Sequence, residues 1–265
     1  MNNFSQVEVS VIMPAYNAEK YIYDSILSVQ KQTFINWELI IIDDNSDDLT
    51  TTVVKEFTLT DERIRLIQHK QNFGAAVSRN TGISIAKGRF IAFLDSDDLW
   101  LPEKLVRQIS FMKKNNFCFT FTPFVKIFED GTRSQPLPVP KFINYRGLLK
   151  NSVIGCLTVI YDAGLLGKIY MPSNTSREDY ATWLKILKKI DYAYSLNEVL
   201  SEYRVHLNQS SNRKISMAFE TFKLFKDVES LNTIHSLYFF IHYVSHSLQK
   251  NYLPWLYRLT TLRSL

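Results

Sequence analysis

Four apolar runs, residues 9–13, 39–42, 64–67 and 90–94, recur through the N-terminal part of the chain, each rich in Ile, Val, Leu or Phe. Between them, segments 18–32, 47–57 and 74–87 carry apolar residues at three- and four-residue intervals. Runs that stay apolar without alternating are strands buried on both faces, and the intervening spacing is that of amphipathic helices. The order βαβαβαβ predicts an α/β fold with an open, mostly parallel sheet and right-handed crossovers. In such sheets ligands sit beyond the carboxyl ends of the strands. Ser46 or Asp47 stands where it can cap the second helix.

The pattern changes after Asp98. A helix is expected over 102–115, strands over 117–121 and 125–128 with a turn at 129–132, and a further strand over 157–161. A helix over 178–189 and two short strands within 192–204 follow. The principal domain is expected to span 1–212, with 213–265 as a helical appendage. With 46% apolar residues, and only 8 Gly and 8 Pro in 265, disordered, fibrous and low-complexity architectures are excluded. Cys118 and Cys156 are too few for a disulfide framework and lack metal-ligand spacing, so they read as buried apolar thiols in a reducing compartment. The N-terminal residues lack a basic start, a long apolar stretch and a cleavage site, which points to a cytoplasmic protein. The longest nearly charge-free apolar stretch, 237–248, falls short of the roughly 20 residues a spanning helix requires.

Three of the strands end in polar clusters: PAYN at 14–17, DDNSDD at 43–48 and DSDD at 95–98. The strand-end rule brings them to one crevice. Taken singly, such segments are commonly helix caps and solvated turns. Together they concentrate carboxylates that raise one another's pKa unless a cation neutralises them. Oxygen ligands suit Mg²⁺ or Mn²⁺, which complete their shells with water and substrate phosphates, so a diphosphate substrate is implied. Asp95 after IAFL and Asp43 after LIII each end an apolar run and need partners. Neither GxGxxG nor GxxxxGK[ST] occurs, which argues against nicotinamide enzymes and P-loop ATPases. Phosphate handling then falls to the metal and to basic groups such as Arg79, which reads equally as a plain surface helix residue.

The segments VSVIMPAYNAEKYIYDSILSVQKQTFINWELIIIDDNSDD and NFGAAVSRNTGISIAKGRFIAFLDSDDLWLPEKL closely resemble the bacterial family 2 glycosyltransferases of GT-A fold that build surface polysaccharides. REDYATWLKIL (177–187) and YRVHLNQSS (203–211) extend the resemblance over residues 7–210. It implies a Rossmann-like, mixed sheet and a nucleotide site formed by Pro14, Tyr16, Asn17, Asp43 and Asp44, with Arg79 near the nucleotide. The DxD element maps to Asp95 and Asp97 with Ser96 between them; Asp97 or the adjacent Asp98 would bond Mn²⁺ or Mg²⁺, and His206 would close over the diphosphate or metal. Asp179 maps to the catalytic base, with Glu178 in reserve. An inverting transfer needs one such carboxylate to take the proton of the attacking hydroxyl. Read without the resemblance, Asp179 is equally a charge favouring a helix N-terminus, and His206 a packed or solvent-facing side chain. Asn45 replaces the glycine more usual in this element, and Asn tolerates the left-handed turn. The QxxRW motif of processive synthases is absent, which indicates addition of a single sugar. A UDP-sugar donor and a glycan acceptor, lipid-linked, as in O-antigen, capsule or lipooligosaccharide assembly, are what the resemblance implies.

Residues 215–265 mix aromatic residues with Lys and Arg and contain no acid after Glu229. Such helices can lie at the inner face of the cytoplasmic membrane, or their aromatics can cover the catalytic domain or a homodimer partner. Two other function classes compete. A sugar-phosphate nucleotidyltransferase shares the α/β plan, but its Gly-rich, basic phosphate-binding start is missing. A nucleic-acid-binding module would suit the net charge of +5, yet the basic residues are scattered and the acidic crevice would repel a polyphosphate, so no nucleic acid is expected.

Overall fold

The computed structural model describes residues 7–205 and 211–263. Strands β1 (Val9–Ala15), β2 (Trp37–Asp43), β3 (Ile64–Gln68) and β4 (Phe90–Phe93) alternate with helices α1 (Ile22–Gln30), α2 (Thr50–Thr60) and α3 (Ala75–Ile85). All four strands are parallel, in the spatial order β3-β2-β1-β4. Past β4 the sheet becomes mixed. After β5 (Leu99–Trp100) and α4 (Lys104–Asn115), the chain forms β6 (Phe119–Phe121), β7 (Val125–Ile127) and β8 (Phe142–Ile143). Then come α5 (Tyr145–Lys150), β9 (Ile160–Asp162), α6 (Ala163–Leu166), α7 (Glu178–Leu187), β10 (Ala193–Ser195) and β11 (Ser201–Arg204). The main sheet reads β3-β2-β1-β4-β9-β6-β10-β8, with β9 antiparallel to both neighbours; β5-β11-β7 form a small second sheet.

The two-residue period of the strands divides the core. Ile12, Ile40, Ile42, Ile91 and Phe93 face α3 and α7, meeting Ile83, Trp183 and Leu184. Val9, Val11, Met13, Leu39, Ile41 and Ala92 face the other way onto Ile22, Ile26, Val54 and Leu105. Both faces are covered, which is why these strands are apolar throughout. Helix α3 lies very close to the sheet at Gly82, where a Cβ would stand 2.7 Å from Ile12 Cγ2 and 2.8 Å from Ile42 Cδ1. Only glycine permits that depth.

Several expectations are corrected. The segment expected as a strand over 157–161 begins as a 3₁₀ turn at Cys156–Thr158, and the strand is displaced to Ile160–Asp162. Side chains take the carbonyls that a ladder would have used: Trp100 Nε1 donates to Leu157 O at 2.8 Å and Lys104 Nζ to Thr158 O at 3.2 Å. Neither Ser46 nor Asp47 caps α2; Ser46 Oγ accepts from Asn17 N and Asp47 N donates to Asn17 Oδ1, while Asp48 accepts from Thr50 N in the first turn. Cys156 is buried as expected, but Cys118 is only partly so.

Beyond β11, helix α8 (Ser211–Lys223) runs into a π-helical turn (Leu224–Val228), followed by α9 (Thr233–Tyr252) and α10 (Pro254–Arg263). Leu224, Phe225 and Phe239 join the core alongside Tyr180, Leu148 and Leu149. Among the described residues no helix is long and apolar enough to cross a membrane.

Lys104 is fully buried, its ammonium donating to Gln108 Oε1 at 2.6 Å with no carboxylate paired to it among the described residues. Burial lowers its pKa from 10.5 to about 7. Between these limits the unfolded chain holds a proton that the native state does not, so stability rises with pH across this window and is lowest below it. Urea unfolding from pH 7 to 9 should show this rise, with Lys104 contributing up to about 1.4 kcal/mol per pH unit, and Lys104→Met should reduce the slope by about that amount.

Candidate active site

The register of the sheet brings the polar strand ends to one edge. Ala15 pairs with Asp43, Asp44 N donates to Ala15 O at 2.8 Å, and Leu94 N donates to Ile12 O at 3.1 Å. Asn17 and Asn45 both adopt left-handed backbone, φ 48 and 66, so each loop turns sharply off its strand without a glycine. The loops enclose a crevice of about 500 Å³ lined by Pro14, Tyr16, Asp44, Gly74, Arg79, Asp95 and Asp97. Tyr16 is half exposed, its ring free to be covered by a planar ligand. Asn17 braces the rim through its bonds to Ser46 and Asp47. The carbonyl of Ser96 is anchored by Ser25 Oγ of α1 at 2.9 Å.

Asp43 and Asp44 are both buried but differently used. Asp43 Oδ2 accepts from Ser46 N at 3.3 Å, whereas its Oδ1 is buried with no partner among the described residues. Asp44 accepts from Gly74 N at 2.6 Å, Phe73 N at 3.0 Å and His69 Nδ1 at 2.7 Å. Burial alone would raise the Asp44 pKa, but these donors outweigh it and hold the carboxyl below its ordinary value. Asp44 thereby fixes the loop that leads into α3. His69, the residue following β3, was not singled out from the sequence, although the strand-end rule that picked the other clusters points to it as well.

Arg79 projects from α3 with only 7% of its side chain exposed. Its Nη2 donates to Asp95 Oδ1 at 2.6 Å and its Nη1 to Glu178 Oε1 at 2.9 Å. One buried guanidinium therefore joins the DSDD loop to the start of α7. Burial raises the Glu178 pKa, and the Asp179 charge adds to that against the opposing pull of Arg79. Asp179 is not paired with Arg79. It lines a second cavity, of about 330 Å³, whose lining shares no residue with the crevice. The buried Cys156 lies close enough to feel Arg79, Asp95 and both α7 acids; burial, the dominant influence, pushes its thiol far above the ordinary value, leaving it protonated.

Of the DSDD acids, Asp95 and Asp97 reach the crevice, while Asp98 is almost wholly buried behind them. Asp98 Oδ1 accepts from Arg204 N at 2.9 Å, and Arg204 Nε donates to Asp97 O at 2.8 Å, so the end of β11 is fastened to this loop. Burial, then the charges of Asp95 and Asp97, push the Asp98 pKa well up. Among the described residues no three His, Cys, Asp or Glu side chains are grouped to hold a metal unaided. Hard carboxylate oxygens opening onto a crevice nonetheless suit Mg²⁺ or Mn²⁺, whose remaining ligands are water and phosphate. His206 lies outside the described residues.

Residues 10–161 match the family described as Glycosyl transferase family 2. A Bacillus subtilis (strain 168) protein named "Putative teichuronic acid biosynthesis glycosyltransferase TuaG" is 41% identical over 243 residues, covering 91% of this chain and 96% of that one. An Escherichia coli protein, UDP-Glc:alpha-D-GlcNAc-diphosphoundecaprenol beta-1,3-glucosyltransferase WfgD, is 41% identical over 244 residues, covering 92% and 94%. Among solved structures, the mannosyltransferase PcManGT from Pyrobaculum calidifontis, in complex with GDP-Man and Mn²⁺, superposes with a TM-score of 0.69. It is 16% identical, with 98% of this chain and 74% of that one covered.

The bridge at Arg79 makes a prediction of its own. Arg79→Met leaves Asp95 and Glu178 without their shared partner and should cost about 2–3 kcal/mol of stability in urea unfolding.

Proposed function

The chain belongs to glycosyl transferase family 2, with the GT-A fold of the enzymes that assemble bacterial surface polysaccharides, and from that premise we propose an inverting, metal-dependent transfer. One sugar moves from a UDP-sugar to a hydroxyl of a lipid-linked glycan. Family membership displaces the nucleotidyltransferase and nucleic-acid-binding readings. The UDP donor and lipid-linked acceptor follow the printed activity of the Escherichia coli relative.

The crevice at the strand ends is the donor site. Tyr16 and Pro14 would flank the nucleotide, with Asn17, Asp43, Asp44 and Ser96 forming or bracing its pocket. Asp97 would hold the divalent cation, with Asp98 behind it and His206 as the family's closing residue. When bound, that cation neutralises charge growing on the leaving diphosphate. Arg79 keeps Asp95 oriented toward the donor and Glu178 fixed at the head of α7. Asp179, unpaired with Arg79 and opening onto the second cavity, takes the proton from the acceptor hydroxyl as its oxygen attacks the anomeric carbon. The bond to the diphosphate breaks on the opposite side, the nucleoside diphosphate leaves with the electron pair, and the anomeric configuration inverts.

One observation supports this reading: Arg79, which lines the acid-rimmed crevice, is paired with Glu178, and the next residue, Asp179, lines the second cavity. Asp179→Asn should lower transfer by at least about 10²-fold while UDP affinity stays within twofold of wild type. Asp97→Asn should instead weaken Mn²⁺-dependent UDP binding. Full turnover by Asp179→Asn would remove the base assignment.

A lipid-linked acceptor requires the enzyme to work at a membrane. Along α9, Ile234, Leu237, Ile241 and Leu248 are 81%, 51%, 60% and 52% exposed, an apolar stripe suited to an acyl surface. Replacing Ile234 and Ile241 by Asp should abolish flotation with anionic vesicles and leave UDP binding intact. If the pair of substitutions instead dissociates a dimer without changing flotation, the stripe is a contact between copies of the chain.

A further inference from the structure

The second cavity has a charge pattern that a neutral sugar does not explain. Lys126, Arg177 and Lys250 line it against one carboxylate, Asp179. Lys250 arrives from α9, remote in sequence, and its Nζ donates to the Ser152 carbonyl at 2.9 Å. Arg177 Nη2 makes a long contact of 3.5 Å to Ser152 Oγ, and its Nε is buried with no partner. Among the described residues neither Lys250 nor Arg177 is ion-paired with a carboxylate. Two cations drawn from different elements and held together in a partly desolvated cavity repel one another, an arrangement that an anion stabilises.

We propose that Arg177 and Lys250 form the seat for the diphosphate of the acceptor, placing the acceptor sugar against Asp179. The inference rests on the reading of the acceptor as lipid-linked, and it names the group that recognises the link between sugar and lipid. Arg177 and Asp179 line the same cavity, so an anion on the guanidinium shares that space with the base. Burial, reinforced by the Arg177 charge, lowers the Lys250 pKa to about 7, and an anion alongside restores the charged form. The C-terminal helices thus contribute a binding residue to the site in addition to covering the core.

Calorimetric titration of the full chain tests this, using farnesyl diphosphate and uncharged farnesol as probes, with and without saturating UDP and Mn²⁺. Farnesyl diphosphate should bind at least tenfold more tightly than farnesol, and UDP should not displace it. Lys250→Gln should weaken its binding about tenfold, the scale of one lost charge-assisted hydrogen bond, while Lys250→Arg retains it and both variants bind UDP as wild type does. Equal binding of farnesyl diphosphate by wild type and Lys250→Gln, no binding by wild type, or displacement by UDP would each overturn the proposal. Failure of UDP to bind would count against the donor reading instead, because the titration without nucleotide still reads the cation seat.

Discussion

The bond that organises this protein is the forked contact of Arg79 with Asp95 and Glu178, spanning 16 and 99 residues of sequence. A guanidinium keeps its charge when buried, so it must find anionic partners, and its planar geometry allows it to serve two acids at once. Its depth is set by the packing of α3, where Gly82 lets the helix settle against Ile12 and Ile42. The hydrophobic core therefore determines where the cation stands, and the cation determines where the two acidic elements meet. A small outward shift of α3 would separate the DSDD loop from α7 even if every strand remained in place.

Around that bridge the charges are segregated. Asp44, Asp95 and Asp97 line the crevice at the strand ends, whereas Lys126, Arg177 and Lys250 line the second cavity. A crevice rimmed by carboxylates suits phosphate only through a cation, and a cavity rimmed by cations suits it directly. The two cavities thus have distinct electrostatic characters, with Asp179 the carboxylate of the second. Glu178 is tied to Arg79, whereas its neighbour Asp179 is not.

Much of the first half was legible because its determinants are local. Four apolar runs separated by helical spacing specify a parallel sheet, and strand-end polarity specifies where that sheet presents its chemistry. Asn45 tolerates positive φ for a reason readable from its side chain alone. The region after Asp98 was less legible. The strand near 157–161 shifted because Trp100 and Lys104 claim its carbonyls, a competition between segments more than fifty residues apart. The caps expected of Ser46 and Asp47 failed because α2 begins only at Thr50, with Asn17 from another strand end bound to Ser46 Oγ and Asp47 N in the loop before it.

By itself, then, the order of residues determined which strands form, which face each apolar side chain takes, and which end of the sheet gathers the acids. These follow from periodicity and from the fixed geometry of parallel crossovers. Only the tertiary structure decided that Glu178 is tied to Arg79 while Asp179 is not, that Asp98 turns inward to Arg204, and that Lys250 reaches the cavity beside α7. Each of those outcomes depends on the distance between elements far apart in sequence. That distance is fixed by close packing, which no local pattern encodes.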